Sequence, residues 1–213
     1  IEIAWIDSET ITSENAADLL RGCDGVLIPG GFGGRGIDGK ITAARYARER
    51  KLPYLGICLG MQVAVIEFAR NVCGIRDADS GEFNDETAHK VIDFMPDQNK
   101  TIAKGGTMRL GSYPCRIRPG TRLRQCYGTE LIRERHRHRY EFNNAYRDML
   151  EAGGLAVSGT SPDGHIVEAV ELPEHDFYIG VQFHPEFKSR PNRAHPLFLG
   201  FVRAADRYRK SKL

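Results

Sequence analysis

The chain has 213 residues, enough for one sizeable core, and the usual size of domains favours a single domain over residues 1–213. With 41% hydrophobic and 27% charged side chains it is an ordinary folded protein, which excludes a disordered or fibrous one, and 30 basic against 28 acidic groups leave +2, too little for a nucleic-acid or membrane surface. Five cysteines, odd in number, scattered and without a CxxC pair, indicate neither a disulfide framework nor a zinc site and fit a reducing cytoplasm. No stretch is long and apolar enough to span a bilayer, and the opening IEIAWIDSET carries no signal pattern. The missing initiator Met suggests an excised piece of a longer protein.

In chain order, Ile1 to Ile6 read as a strand, Ser13 as the cap of a short helix ending at Leu20, and Gly25 to Ile28 as a second strand entering Pro29-Gly30-Gly31. Lys40 to Arg50 has helical spacing, Pro53 to Ile57 is a short buried strand, and Leu59 to Arg70 is an apolar helix suited to the face of a parallel sheet. This opening third predicts a doubly wound α/β fold. From Lys90 to Glu171 the texture turns β-rich, in HKVIDFM, GGTMRLGSYPCRIR, RHRHRYEFN and a hairpin that turns at Pro162-Asp163-Gly164. A last strand, Phe177 to Phe183, leads into His184-Pro185-Glu186, and Leu197 to Arg209 is an amphipathic closing helix. The predicted architecture is α/β, doubly wound, with a mostly parallel sheet, flanking helices and antiparallel additions.

Three places carry chemistry. Gly56-Ile57-Cys58-Leu59-Gly60 is G-x-C-x-G between a strand and a helix, the cysteine form of a nucleophile elbow. Glycines leave room for the sharp turn, the helix N-terminus favours thiolate, and the Leu59 amide is free to donate to an oxyanion. A small buried hydrophobe is the competing reading of Cys58, and the motif alone leaves the two near even. At the end of another strand, proline holds His184 out of the helical region, and extended alternation puts His184 and Glu186 on one side, carboxylate behind imidazole. An incidental solvated turn explains the tripeptide alone, but poorly once an elbow cysteine stands beside it. Third, Pro29 to Gly36 is a glycine-rich loop at the same sheet edge; without a GK[ST] ending or a clean GxGxxG it reads as an oxyanion loop rather than a phosphate loop.

PGG, GxCLGxQ and HPE occur together and in this order, and so the chain resembles the class I (triad) glutamine amidotransferases, whose fold is flavodoxin-like. IPGGFGGRGIDGK, GICLGMQVAVIEFARN, GGTMRLG, ERHRHRYEFN and VQFHPEFKSRP narrow the resemblance to the C-terminal glutaminase domain of the CTP synthase family, over nearly the whole chain. Set against that family, this sequence is expected to lack the amino-terminal synthetase domain and to begin at the family domain's second strand. The resemblance implies Cys58 as nucleophile, His184 as general acid/base and Glu186 as its orienting carboxylate. It implies oxyanion amides at Gly31 and Leu59, and a glutamine pocket with Phe32, Gln62, Glu82 and Arg139. Arg suits a carboxylate through two parallel hydrogen bonds, and Glu82 answers an α-ammonium.

The same resemblance implies no metal or cofactor in this domain; ATP, UTP and Mg2+ belong to the synthetase domain, and GTP is an allosteric effector assigned here to Arg35. Its partners are L-glutamine and the synthetase domain of the same polypeptide, in a homo-oligomer, without nucleic acid or membrane. Arg133 to Tyr140 (RERHRHRY) is the best argument for nucleic acid. As a strand it puts Arg135, Arg137 and Arg139 on one face and His136, His138 and Tyr140 on the other, with the arginines solvated except Arg139. Cys23, Cys73, Cys115 and Cys126 lack an elbow or a base and read as packing residues. Two rival functions stand beside this: a cysteine hydrolase of γ-glutamyl peptides, and a non-catalytic module, whose mark, a lost triad member, is missing.

Overall fold

Strands β1 (Val26–Ile28), β2 (Tyr54–Ile57) and β10 (Tyr178–Val181) run parallel, with β2 between the other two. The computed structural model describes residues 1–94 and 108–212. Every residue of β2 and β10 is buried, and each strand divides its side chains between two cores. Tyr54 and Tyr178, stacked with ring centroids 4.3 Å apart, join the core of helices α2 (Ile37–Glu49) and α3 (Leu59–Asn71). Leu55, Ile57, Ile179 and Val181 join the core of α4 (Arg122–Tyr127) and α6 (Pro196–Ser211). Helices therefore cover both faces, the doubly wound arrangement that an apolar run without alternation calls for.

Antiparallel strands extend the sheet beyond β10, in the order β9 (Val167–Glu171), β8 (Ala156–Thr160), β5 (Arg109–Ile117) and β6 (Leu131–His138). These additions hold four of the seven strands, so they outnumber the parallel centre among the described residues. A second sheet joins β3 (Asp79–Ser80), β4 (Lys90–Phe94) and β7 (Tyr140–Phe142). The turn expected at Pro162 to Gly164 does join β8 to β9. The expected β pieces also take in Met95 and Gly105 to Thr107, which lie outside the described residues.

Two expectations near the start are corrected. Residues 1–6 form no strand: Ile1, Ile3 and Trp5 are exposed, so their alternation has no core to face and no strand to pair with among the described residues. Helix α1 is Ala16–Leu20, preceded by Asn15 rather than Ser13; the Ser13 hydroxyl donates to Glu14 instead of capping.

Candidate active site

The site lies where β1, β2 and β10 end, at one edge of the parallel centre, as crevices in open α/β sheets do. Cys58 is the hinge between β2 and α3, with φ 51° and ψ −102°, a backbone state that side chains other than glycine rarely adopt. Its neighbours enforce the turn. A Cβ on Gly56 would come within 2.6 Å of the Gly60 carbonyl, and one on Gly60 within 2.2 Å of the Ile28 oxygen, so helix and strands touch backbone to backbone. The Cys58 amide donates to Val181 O at 2.7 Å, tying the elbow to β10.

Burial pushes the Cys58 thiol up to about 12, with nearby carboxylates adding to the effect and the Leu59 amide pulling the other way through a hydrogen bond. The helix N-terminus was expected to favour thiolate; here desolvation outweighs it, because the thiol is buried.

His184 Nδ1 meets Glu186 Oε1 at 2.6 Å, while Nε2 is buried with no hydrogen-bond partner. The carboxylate thus fixes the ring so that Nε2 is the nitrogen left for chemistry. The expected extended alternation does not produce this pair. Pro185–Phe187 is a 3-10 turn with proline in its first position, and it curls Glu186 back toward His184. The imidazole stacks on Phe187, ring centroids 4.9 Å apart. Imidazole and thiol converge on Gly30, where a Cβ would lie 2.7 Å from His184 Cε1 and 3.5 Å from Cys58 Cβ.

Beside the sulfur, one cleft gathers Gly31, Phe32, Gln62, Glu82 and Arg139, five of the residues expected to bind substrate, with His138 and Tyr140 completing its wall. A Cβ on Gly31 would touch the Leu59 side chain, at Cδ2, 3.0 Å away, so the two residues are neighbours. Glu82 Oε1 accepts from the Gly33 amide at 2.8 Å, joining the acid to the glycine loop. Arg139 Nε is buried with no protein partner. Arg35 is not brought to the cleft: it is exposed and paired with Glu9, its Nε 2.8 Å from Oε2.

In β6 the arginines at 133, 135 and 137 are exposed and Glu134, His136 and His138 buried, the alternation expected, but the strand breaks at Arg139. That break lets Arg139 leave the arginine face and enter the cleft. Behind it, Arg109 pairs with Glu168 at 2.6 Å, and the His136 and His138 rings meet at 2.9 Å. Burial pushes His136 down to about 2 and His138 to about 3, which favours the neutral ring in both. Among the described residues no group of His, Cys, Asp and Glu could hold a metal ion, and no helix is long and apolar enough to cross a membrane.

Sequence reasoning passed over two residues. Gly30 seats the imidazole, and Gln182 reaches the sulfur with Nε2 3.6 Å from Cys58 Sγ. Gln182 sits in the same string as His184, but nothing in its type marks it as more than a buried amide.

An elbow cysteine, an imidazole backed by a carboxylate and a cleft with an acid and an arginine thus stand together at one edge of the sheet. The family description glutamine amidotransferase class-I matches residues 1–204, and the chain belongs to that family. Within it, the chain is 65% identical over 205 residues to a CTP synthase of Rubrobacter xylanophilus, covering 96% of this chain and 37% of that protein. It is 58% identical over 212 residues to the CTP synthase of Pelotomaculum thermopropionicum, covering 100% of this chain and 40% of the relative. The chain thus spans well under half the length of these relatives. Among solved structures, the acivicin-bound glutaminase domain of Trypanosoma brucei CTPS superposes with a TM-score of 0.91 at 44% identity, over 97% of this chain and 81% of that one. A glutamine amidotransferase from Methylobacillus flagellatus shares the fold alone, at 13% identity and a TM-score of 0.51 over 90% of this chain and 76% of that one.

Proposed function

We propose that this chain is the ammonia-producing half of a CTP synthase and that Cys58, His184 and Glu186 hydrolyse L-glutamine. The Cys58 proton moves to His184 Nε2 as the sulfur attacks the side-chain amide carbon of glutamine. Charge gathers on the amide oxygen, which the Gly31 and Leu59 amides receive. His184 then protonates departing ammonia, leaving a glutamyl thioester, and next takes a proton from water, whose attack releases glutamate and restores the thiol. Glu186 holds the imidazole and balances its charge. The observation that carries this reading is the convergence of Cys58 and the Glu186-backed His184 on one glycine, Gly30. The test is product analysis: free glutamine should give glutamate and one equivalent of ammonia. Cleavage of γ-glutamyl peptides with no glutamine turnover would defeat the proposal.

Phe32, Gln62, Glu82 and Arg139 would hold the amino-acid end of glutamine, Arg139 on the α-carboxylate and Glu82 on the α-ammonium. Losing a charge-assisted bond of about 1.5–3 kcal/mol, Arg139→Ala should weaken glutamine binding about ten- to a hundredfold. Arg139→Lys should stay impaired, because an ammonium lacks the planar fork. In the whole enzyme, synthesis from ammonium chloride should survive either change. Equal losses with both nitrogen donors would make Arg139 structural.

In the longer protein, ammonia would reach a synthetase domain that binds ATP, UTP and Mg2+ and aminates UTP to CTP, within a cytoplasmic homo-oligomer. The similarity to full-length CTP synthases supports this wider reading. GTP would act as effector through the glycine loop that holds Arg35, next to the Gly31 amide.

A further inference from the structure

Gln182 is completely buried and is the first residue after β10; its backbone amide donates to Glu168 O at 2.8 Å. Its side-chain amide has a forced orientation. Gln62 Nε2 donates to the Tyr140 carbonyl at 3.0 Å and to Gln182 Oε1 at 3.2 Å. A main-chain carbonyl only accepts, so Tyr140 fixes which end of Gln62 faces it. The second Nε2 hydrogen of Gln62 then claims Gln182 Oε1. What remains toward the sulfur is Gln182 Nε2, which donates only, 3.6 Å from Cys58 Sγ. The run from Tyr140 to the nucleophile therefore has one polarity, and at its end stands a donor that favours charge on sulfur.

The Leu59 amide also hydrogen-bonds the sulfur, but in the mechanism above it turns to the substrate oxygen. Gln182 is placed to stay with the sulfur throughout. We propose that Gln182 is a further catalytic residue of the glutamine reaction, donating its N–H to Cys58 Sγ as the thiol proton passes to His184. This rests on the Cys58–His184 reading. No bond to Gln182 is made or broken: the proton goes from Sγ to His184 Nε2, and the amide keeps both of its hydrogens. Burial holds the resting thiol far on the protonated side, so a fixed neutral donor eases the step without adding a charge that would later have to be removed.

The test measures the rate of Cys58 alkylation by iodoacetamide against pH, with the adduct mapped by mass spectrometry, together with the pH profile of kcat/KM for glutamine. Gln182→Met keeps the volume and removes the donor. It should slow alkylation at neutral pH about three- to tenfold and move its midpoint upward by about half a unit to one unit. Gln182→Glu should move it further the same way, since a carboxylate opposes charge on sulfur. Melting temperatures identify folded variants, and should the Glu variant not fold, the Met variant decides alone. Parent-like profiles in folded variants would overturn the proposal, leaving Gln182 a packing residue. The two readings fail separately: glutamine turnover that survives Cys58→Ala removes both, while Cys58-dependent turnover with unmoved profiles removes the Gln182 role alone.

Discussion

Replacing Cys58 by Ala is expected to lower glutamine hydrolysis by about 10⁴-fold or more while leaving the melting temperature within about 3 °C of the parent. The rate falls because Cys58 is the one cysteine that lines the cleft among the described residues: Cys115 is buried in the core of α4 and α6, Cys126 packs against that core, and Cys23 and Cys73 pack against the core of α2 and α3. Stability holds because one sulfur is a small part of the packing and the turn is enforced by Gly56 and Gly60, which remain. Glycine makes the sharper variant. At φ 51° and ψ −102° a side chain costs about 1–3 kcal/mol of backbone strain, which Cys58→Gly relieves, against about 0.5–1 kcal/mol of extra chain entropy in the unfolded state. Cys58→Gly should therefore be as inactive as Cys58→Ala and at least as stable in calorimetry. A glycine variant clearly less stable than the alanine variant would show that the elbow is unstrained.

Gly30→Ala is expected to cost about a hundredfold or more in kcat, with KM for glutamine little changed. The new methyl would sit 2.7 Å from His184 Cε1, inside van der Waals contact, and 3.5 Å from Cys58 Cβ, which it tolerates. The imidazole is the part that must give way, and a displacement of about 1 Å between reacting groups is worth about 10²-fold. Gln62, Glu82 and Arg139 are left in place, which is why the effect belongs in kcat. Steady-state kinetics separates the cases, and a variant with parental kcat would mean that Gly30 does not seat the histidine.

Much of this site was legible in the chain. Cys58 was near even on GxCxG alone and stood out once PGG and HPE joined it, and Gly56 against Gly60 and Gly60 against Ile28 show backbones meeting at its turn. The arginine and histidine faces of β6 follow from period two, and the hairpin from its Pro-Asp-Gly turn. What was hidden depends on contacts made across the fold. The pairing of His184 with Glu186 comes from a 3-10 turn rather than an extended strand, and no pattern in HPE distinguishes the two. The protonated state of Cys58 reflects how deeply the elbow is enclosed, which local sequence does not record. Residues 1–6 alternate like a strand, but alternation specifies a face and not the sheet that must receive it.

The loop bearing His184 and Glu186 also covers the end of the large sheet. Strand β6 is the last in its order, paired with β5 on one side, and on its other side the His184 amide donates to Arg135 O at 2.8 Å and Lys188 Nζ donates to Arg133 O. An uncovered strand edge recruits strands of other molecules, and proteins shield such edges with loops and charges. The loop that holds His184 thus also shields this strand edge. Changes that free it should cost solubility as well as rate, so selection for high soluble expression alone would tend to preserve the geometry of the active histidine.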